Sequence, residues 1–393
     1  MSIELSTPAP ERPHERPSTV PLQMLRPDGQ LTPGTCLPLE VTALVSIYQA
    51  MWRTRHIDQR LERLQRQGRI GFHVGSLGEE AAIVAAAAAL TEQDWILPCY
   101  REFGALLWRG FALQALIHNA YGNAADTVHG RQMPDHVTSK ALRFLSVSSP
   151  VGTQMTQAVG LGWAAKLSRD PAVAAVFFGD GATSCHDFHA SLNFAAVMQA
   201  PVVFLCRNNG WAISTPLHQQ SANPNLAERG ESYGMAAARV DGNDAVATYA
   251  AVARAAKRAR EGGGPTFIEL LTYRLGGHST SDDPRAYRSD KEVGQAEHRC
   301  PLRRLRRYLE GQDLWDDEKE EAWRASVHAE LQEAIAAAEA AGPPPLDTLT
   351  QDVYAAEPPH LQRQRTALLQ GPRPTAAHAA PAKPGDKGGA CPK

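Results

Sequence analysis

Apolar positions along the chain fall into two kinds of pattern. Short continuous runs at 172–178, 201–206 and 265–271, with a shorter one at 94–97, read as strands buried on both faces. The segments around them have helical spacing. Residues 39–67 predict a long helix with Gly68 at its end, and 79–90 an Ala-rich helix whose small side chains suit close packing. Residues 182–198 continue helically after the second run, and 246–261 form a helix stopped by Gly262-Gly263-Gly264-Pro265. Residues 316–341 place Trp323, Val327, Leu331 and Ile335 on one stripe, and Pro343-Pro344-Pro345 ends it. Strands alternating with helices predict an α/β fold in a block from about Trp95 to Leu271. Its sheet should be mostly parallel, with helices on both faces.

The two ends break this pattern. Residues 1–35 are rich in Pro and charge and predict an extended or disordered arm. Residues 356–393, rich in Pro, Ala and Lys from about Gly371, predict a largely disordered tail. That leaves 36–355 as one α/β domain with a helical C-terminal extension. The formal charge of −2 gives no reason to expect nucleic acid or a membrane surface, and the longest aliphatic run, 81–90, is too short to span a bilayer. Cys36, Cys99, Cys185, Cys206, Cys300 and Cys391 form no CxxC pair and read as free thiols in a reducing compartment. The N-terminus lacks an apolar signal core and carries Glu4, Glu11 and Glu15. A cytoplasmic location is the expectation.

The candidate chemistry lies just past two of the strands. Gly179-Asp180-Gly181 follows the 172–178 run, and Arg207-Asn208-Asn209-Gly210 follows the 201–206 run. Open α/β sheets bind ligands past the carboxyl ends of their strands. A diphosphate needs its charge neutralised, and Mg²⁺ seeks about six oxygens. The Asp180 carboxylate, the Asn209 amide oxygen and a backbone carbonyl near Trp211 are fitting donors. Gly179 and Gly181 let backbone approach phosphate, and the next helix would turn its amino end to the anion. Alone, Gly-Asp-Gly would be an ordinary turn with an Asp cap. The Asn pair after its own strand makes the combination specific. It is not a dinucleotide fingerprint, because no third Gly follows in register.

These residues resemble the thiamine diphosphate motif shared by transketolase, pyruvate decarboxylase and the 2-oxo acid dehydrogenases. The stretch GDGATSCHDFHASLNFAAVMQAPVVFLCRNNGWAIST (179–215) is similar to the α subunit of the decarboxylase component of 2-oxo acid dehydrogenase complexes. The similarity runs from about Pro21 to about Tyr354. GRQMPDH (130–136), VDGND (240–244) and YRLGGHSTSDDPRAYRS (273–289) resemble the branched-chain branch. The resemblance implies a thiamine diphosphate-binding fold and oxidative decarboxylation of branched-chain 2-oxo acids, with acyl transfer to the lipoyl group of an acyltransferase core. A pyruvate or acetoin dehydrogenase is the alternative. It further implies an α₂β₂ heterotetramer in which a β subunit supplies the activating Glu, because the chain has room for only one cofactor-binding domain.

The same resemblance assigns residues. Tyr100, Arg101, Gly179, Asp180, Gly181, Ala182, Arg207, Asn209 and His278 would bind the cofactor, with Ser149 and Val151 at its aminopyrimidine. Asp180, Asn209 and the Trp211 carbonyl would hold Mg²⁺. Ser148, Pro150, Thr153 and Gln154 match a monovalent-cation site (K⁺), although from the residues alone Ser and Thr here only cap a helix that follows a strand. Arg207 reads either as a second charged contact to the diphosphate or as a surface salt bridge. His278 and His136 are the candidate acid-base groups. Phe72 and Leu77, with His73 and Glu79, line the substrate entrance or pack a helix turn. Ser279 matches a position phosphorylated in mitochondrial relatives and reads here as a structural loop Ser. Two departures stand out: Cys185-His186 replaces the relatives' Glu-Gly, and Gly277 stands where they often have His. Cys185, His186 and His189 show no fourth ligand for zinc. A non-catalytic relative would lack Asp180, Asn209 or His278, and all three are present.

Overall fold

A computed structural model describes residues 19–372. Five strands form its main sheet: β1 (Trp95–Leu97), β2 (Ala174–Gly179), β3 (Val202–Asn208), β4 (Ala236–Asp241) and β5 (Thr266–Leu271). Their spatial order is β1-β2-β3-β5-β4, and every pairing is parallel. Four of these strands are the apolar runs of the sequence. β4 (AAARVD) was not predicted.

Successive residues of the central strands feed two different cores. Val173, Ala175, Phe177, Val203, Leu205, Ile268 and Leu270 pack on one face of the sheet. They meet α5 (Ala245–Arg260), and α1 (Val41–Arg66) and α2 (Glu80–Ala88) lie beyond it. Ala174, Val176, Phe178, Val202, Phe204 and Phe267 pack on the other face. There they meet α3 (Thr153–Ser168) and α4 (His186–Met198). Burial on both faces is why these strands read as unbroken apolar runs rather than alternating ones. The stripe helix is α6 (Asp317–Ala340), and Val327, Leu331 and Ile335 are buried along it.

Both ends carry structure among the described residues. In the N-terminal arm, residues 20–35 pack against the domain. Leu22 pairs in parallel with Val240 at the edge of β4, and Leu25 is fully buried. In the tail, α7 (Pro359–Gln370) is helical, so that part is not the unstructured segment expected; it buries none of its residues. Residues 1–18 and 373–393, with Cys391, lie outside the described residues. The 148–154 segment follows no strand; two isolated bridges, Phe144 to Ile96 and to Ser139, precede it. The turn after β2 is also different. Asp180–Ser184 form a 3₁₀ turn, and α4 begins only at His186. Among the described residues no helix is long and apolar enough to cross a membrane, and Cys36, Cys99, Cys185, Cys206 and Cys300 are free thiols.

Candidate active site

The carboxyl ends of β2 and β3 open on a cleft of about 550 Å³. Tyr100, Arg101, Ser149, Val151, Gly179, Asp180, Gly181, Ala182, Arg207, Asn209, Trp211 and His278 all line it. Five segments far apart in sequence converge here because parallel strands deliver every carboxyl end to one side. A Cβ on Gly179 would meet nothing within 4 Å, so it would project into the free space of the cleft. Gly152 is needed for another reason. Its φ is 97°, and a Cβ would lie 2.3 Å from the Cys185 sulfur, so this turn lets the 148–153 loop close on the neck of α4.

Asp180 is 1% exposed, and Gln220 Nε2 donates to its Oδ2 at 2.8 Å. Burial raises its pKa, with the Gln220 hydrogen bond opposing. A buried carboxylate with a single side-chain partner suits a hard cation. Asn209 presents Oδ1, which takes the Trp211 N–H at 3.2 Å. The Trp211 carbonyl, expected as a third oxygen, receives a long hydrogen bond from Arg274 Nη1 at 3.4 Å. Among the described residues no group of three or more His, Cys, Asp or Glu could hold a metal. The Asp180–Asn209 set does not depend on such a group.

Arg207 is neither a surface group nor an unpaired one. It is 1% exposed and pairs with both Glu79 and Glu102. Burial opposes its charge, but Glu102 and Glu79 more than offset this and raise its pKa. Arg101, 3% exposed, donates through Nη1 to the Gly75 carbonyl and through Nη2 to the His278 carbonyl at 2.9 Å. Nη2 also lies 3.1 Å from His278 Nδ1. A guanidinium only donates, so Nδ1 carries no proton and the neutral ring keeps its proton on Nε2. Burial, then Arg101 and Arg274, lower the His278 pKa to about 4, so the ring is neutral near pH 7. Tyr100 stands edge-on to this ring, centroids 5.9 Å apart.

His136 does not line the cleft; it reaches it through Ser149. Its Nδ1 lies 3.0 Å from the Pro134 carbonyl, an acceptor, so Nδ1 bears the proton. Nε2 then accepts from Ser149 Oγ at 2.7 Å. The two candidate histidines are therefore opposite tautomers. In the 148–154 segment, Thr153 Oγ1 bonds Ser148 Oγ at 2.9 Å and the Pro150 carbonyl at 3.1 Å. Gln154 donates to the Phe177 carbonyl at 3.0 Å, while its buried Oε1 has no partner.

Phe72 and Leu77 are not in this cleft. Leu77 lines a second one, of about 260 Å³, with Asp58, His73, Arg274 and residues of the His278 loop. Phe72 is half-buried and lines neither. His73 is 1% exposed and wedged between Asp58 (Nε2 to Oδ1, 2.8 Å) and Asp135 (Nδ1 to Oδ1, 3.1 Å). Burial opposes its charge, but Asp135 and Asp58 push its pKa up to about 10. His73 is thus held as a buried cation between two carboxylates at the edge of the second cleft. Cys99, Ser184, Cys185, Ala212 and Ile213 also line the cleft and were not predicted to. No spacing marks them, since they belong to the site only through the turns they sit in. Gln220 likewise carries no sequence signal.

The family of sequences described as "Dehydrogenase E1 component" matches residues 48–347. The 2-oxoisovalerate dehydrogenase subunit alpha 1, mitochondrial, of Arabidopsis thaliana is 44% identical over 350 residues, covering 88% of this chain and 74% of the relative. The human mitochondrial alpha subunit is 43% identical over 330 residues, covering 83% and 74%. The Caenorhabditis elegans counterpart is 44% identical over 333 residues, covering 84% and 76%.

Proposed function

The chain belongs to the dehydrogenase E1 component family, and on that premise we propose that it is the α subunit of a branched-chain 2-oxo acid dehydrogenase. As such it works with a β subunit in oxidative decarboxylation and passes the acyl group to a lipoyl acyltransferase core. The observation that carries this reading is the convergence of Asp180, Asn209, Arg101, Arg207, Ser149, Val151 and His278 on one cleft.

The donor set fits thiamine diphosphate with Mg²⁺. Asp180 Oδ1 and Asn209 Oδ1 would hold the metal, with the Trp211 carbonyl as third protein oxygen. Arg101 and Arg207 supply positive charge for the diphosphate. Bound there, the cofactor supplies the electron sink for loss of CO₂. Ser148, Thr153, the Pro150 carbonyl and the unpartnered Gln154 Oε1 form an all-oxygen set suited to K⁺. Val151 and Ile213, about half exposed at the rim, leave apolar surface of the kind a β subunit would cover.

His278 offers an N–H at Nε2 and remains neutral at working pH, so it stabilises developing negative charge by donation. His136, proton on Nδ1, holds Ser149 Oγ. A reducing, cytoplasmic setting is proposed from the unpaired thiols.

The test is decarboxylation with an artificial electron acceptor by the chain assembled with its β subunit, Mg²⁺ and thiamine diphosphate. We expect a higher kcat/KM for 3-methyl-2-oxobutanoate than for pyruvate. A strong pyruvate preference would overturn the substrate assignment. Absence of turnover of either acid by the loaded complex would overturn the catalytic one.

A further inference from the structure

Three groups of the cleft meet on one carboxylate. Glu79 is fully buried. Its Oε1 accepts from Asn209 Nδ2 at 3.0 Å and lies 3.9 Å from Arg101 Nε, while its Oε2 pairs with Arg207 Nη1. Glu79 is also the residue before the first turn of α2, where a polar side chain would ordinarily cap the helix, yet it makes no capping hydrogen bond. Its side chain is spent on the floor of the cleft instead.

We propose that Glu79 is a positioning residue that sets the metal ligand and the diphosphate-binding cations in one register. This rests on the cofactor reading above and extends it. A carboxylate only accepts, so it fixes which end of the Asn209 amide it receives. Nδ2 must face Glu79, and Oδ1 is left on the other side, its plane held by the Trp211 N–H. The same carboxylate holds one arm of the Arg207 fork, while Glu102 holds the other. Glu102 keeps its own place by accepting the backbone N–H groups of Cys99 at 2.8 Å and Arg101 at 3.1 Å. The paired carboxylates thus tie β3 to the 99–102 turn and to the start of α2. Partners of this kind behind a metal ligand typically affect metal affinity about 10–100-fold.

Electrostatics alone predicts the reverse. A negative charge beneath an anion site weakens anion binding, so its removal should tighten the cofactor. Calorimetric titration of the apo chain–β complex with Mg²⁺ and thiamine diphosphate separates the two. Wild type is compared with Glu79→Asp, which keeps the charge but shortens the reach, and Glu79→Gln, which keeps the length. We expect the half-saturating Mg²⁺ to rise about tenfold in Glu79→Asp. Thiamine diphosphate should bind more weakly to Glu79→Gln, with melting curves reporting that each apo complex is folded. If one variant does not assemble, the other still decides. Half-saturating Mg²⁺ within twofold of wild type, or tighter cofactor binding by Glu79→Gln, would overturn the proposal. A wild-type complex that binds neither Mg²⁺ nor thiamine diphosphate would instead overturn the cofactor reading beneath it.

Discussion

His73 and His278 sit on two loops hydrogen-bonded to each other, yet one ring is charged and the other neutral. Thr280 N donates to the His73 carbonyl at 2.9 Å, and His73 N donates to Thr280 Oγ1 at 3.0 Å. Arg101 bridges the same loops through the Gly75 and His278 carbonyls. Burial disfavours charge on both rings. What differs is the neighbouring charge. Two aspartates flank His73 and keep it protonated to about pH 10. Two arginines face His278 and keep it neutral down to about pH 4. The difference teaches that desolvation sets a common penalty while the sign of the nearest partner decides the state. One ring clamps the scaffold, and the other is left free to donate into the cleft.

If that division is right, changes at the two histidines should damage different properties. His278→Asn should lower kcat by about 10²–10³-fold, the range of one lost donor to a developing negative charge. Thermal stability of the apo complex should hardly change. Equal losses in both would erase the contrast. On the cleft side, Asp180→Ala should weaken Mg²⁺-dependent thiamine diphosphate binding by more than about a hundredfold, beyond the 10–100-fold typical of an outer partner. Calorimetry reads this directly, and unchanged affinity would remove Asp180 from the metal site.

On the scaffold side, His73→Gln leaves Asp58 and Asp135 without their shared cation and should cost about 3–5 kcal/mol in chemical unfolding. The pH profile should carry the same signature. The folded pKa of His73 lies above its unfolded 6.5, so its contribution is complete below pH 6.5 and is lost as pH rises through about 10. That slope should vanish in the Gln variant. The smallest effect is on His278 itself. Replacing Arg101 by Gln removes one of the charges that lower its pKa, so imidazole NMR of the apo chain should show it titrating above pH 4. An unmoved titration would leave burial and Arg274 as the causes.

How much of this was legible varies with how locally each feature is encoded. Strands β1, β2, β3 and β5 were readable because burial on both faces demands continuous apolar runs. β4 was not, since Ala236-Ala237-Ala238-Arg239 looks like helix or loop, and only Val240 is fully buried in it. The Gly-Asp-Gly and Asn-Asn pair was readable because metal chemistry restricts residue types at fixed distances from strand ends. The partners that set the state of each group were not. Arg207 gives no hint in sequence that Glu79 and Glu102, more than a hundred residues earlier, will bury and hold it. Phe72 and Leu77 lie off the cofactor cleft because a loop's side chains are directed by what it packs on, here Asp58, Asp135 and the His278 loop, rather than by its spacing.

The N-terminal arm has a consequence at the edge of the sheet. β4 is one of the two outer strands, and Leu22 occupies its open side, donating to the Arg239 carbonyl at 2.8 Å and accepting from Asp241 N at 3.0 Å. Asp244 fixes the arm further by accepting the N–H groups of Met24 and Leu25 at 2.7 and 2.6 Å. An uncovered outer strand is a template on which another chain can add its own backbone. Residues 22–25 therefore act as a plug. In a chain trimmed to the catalytic block, the sheet would be free to grow from molecule to molecule, and the first loss would be solubility rather than activity.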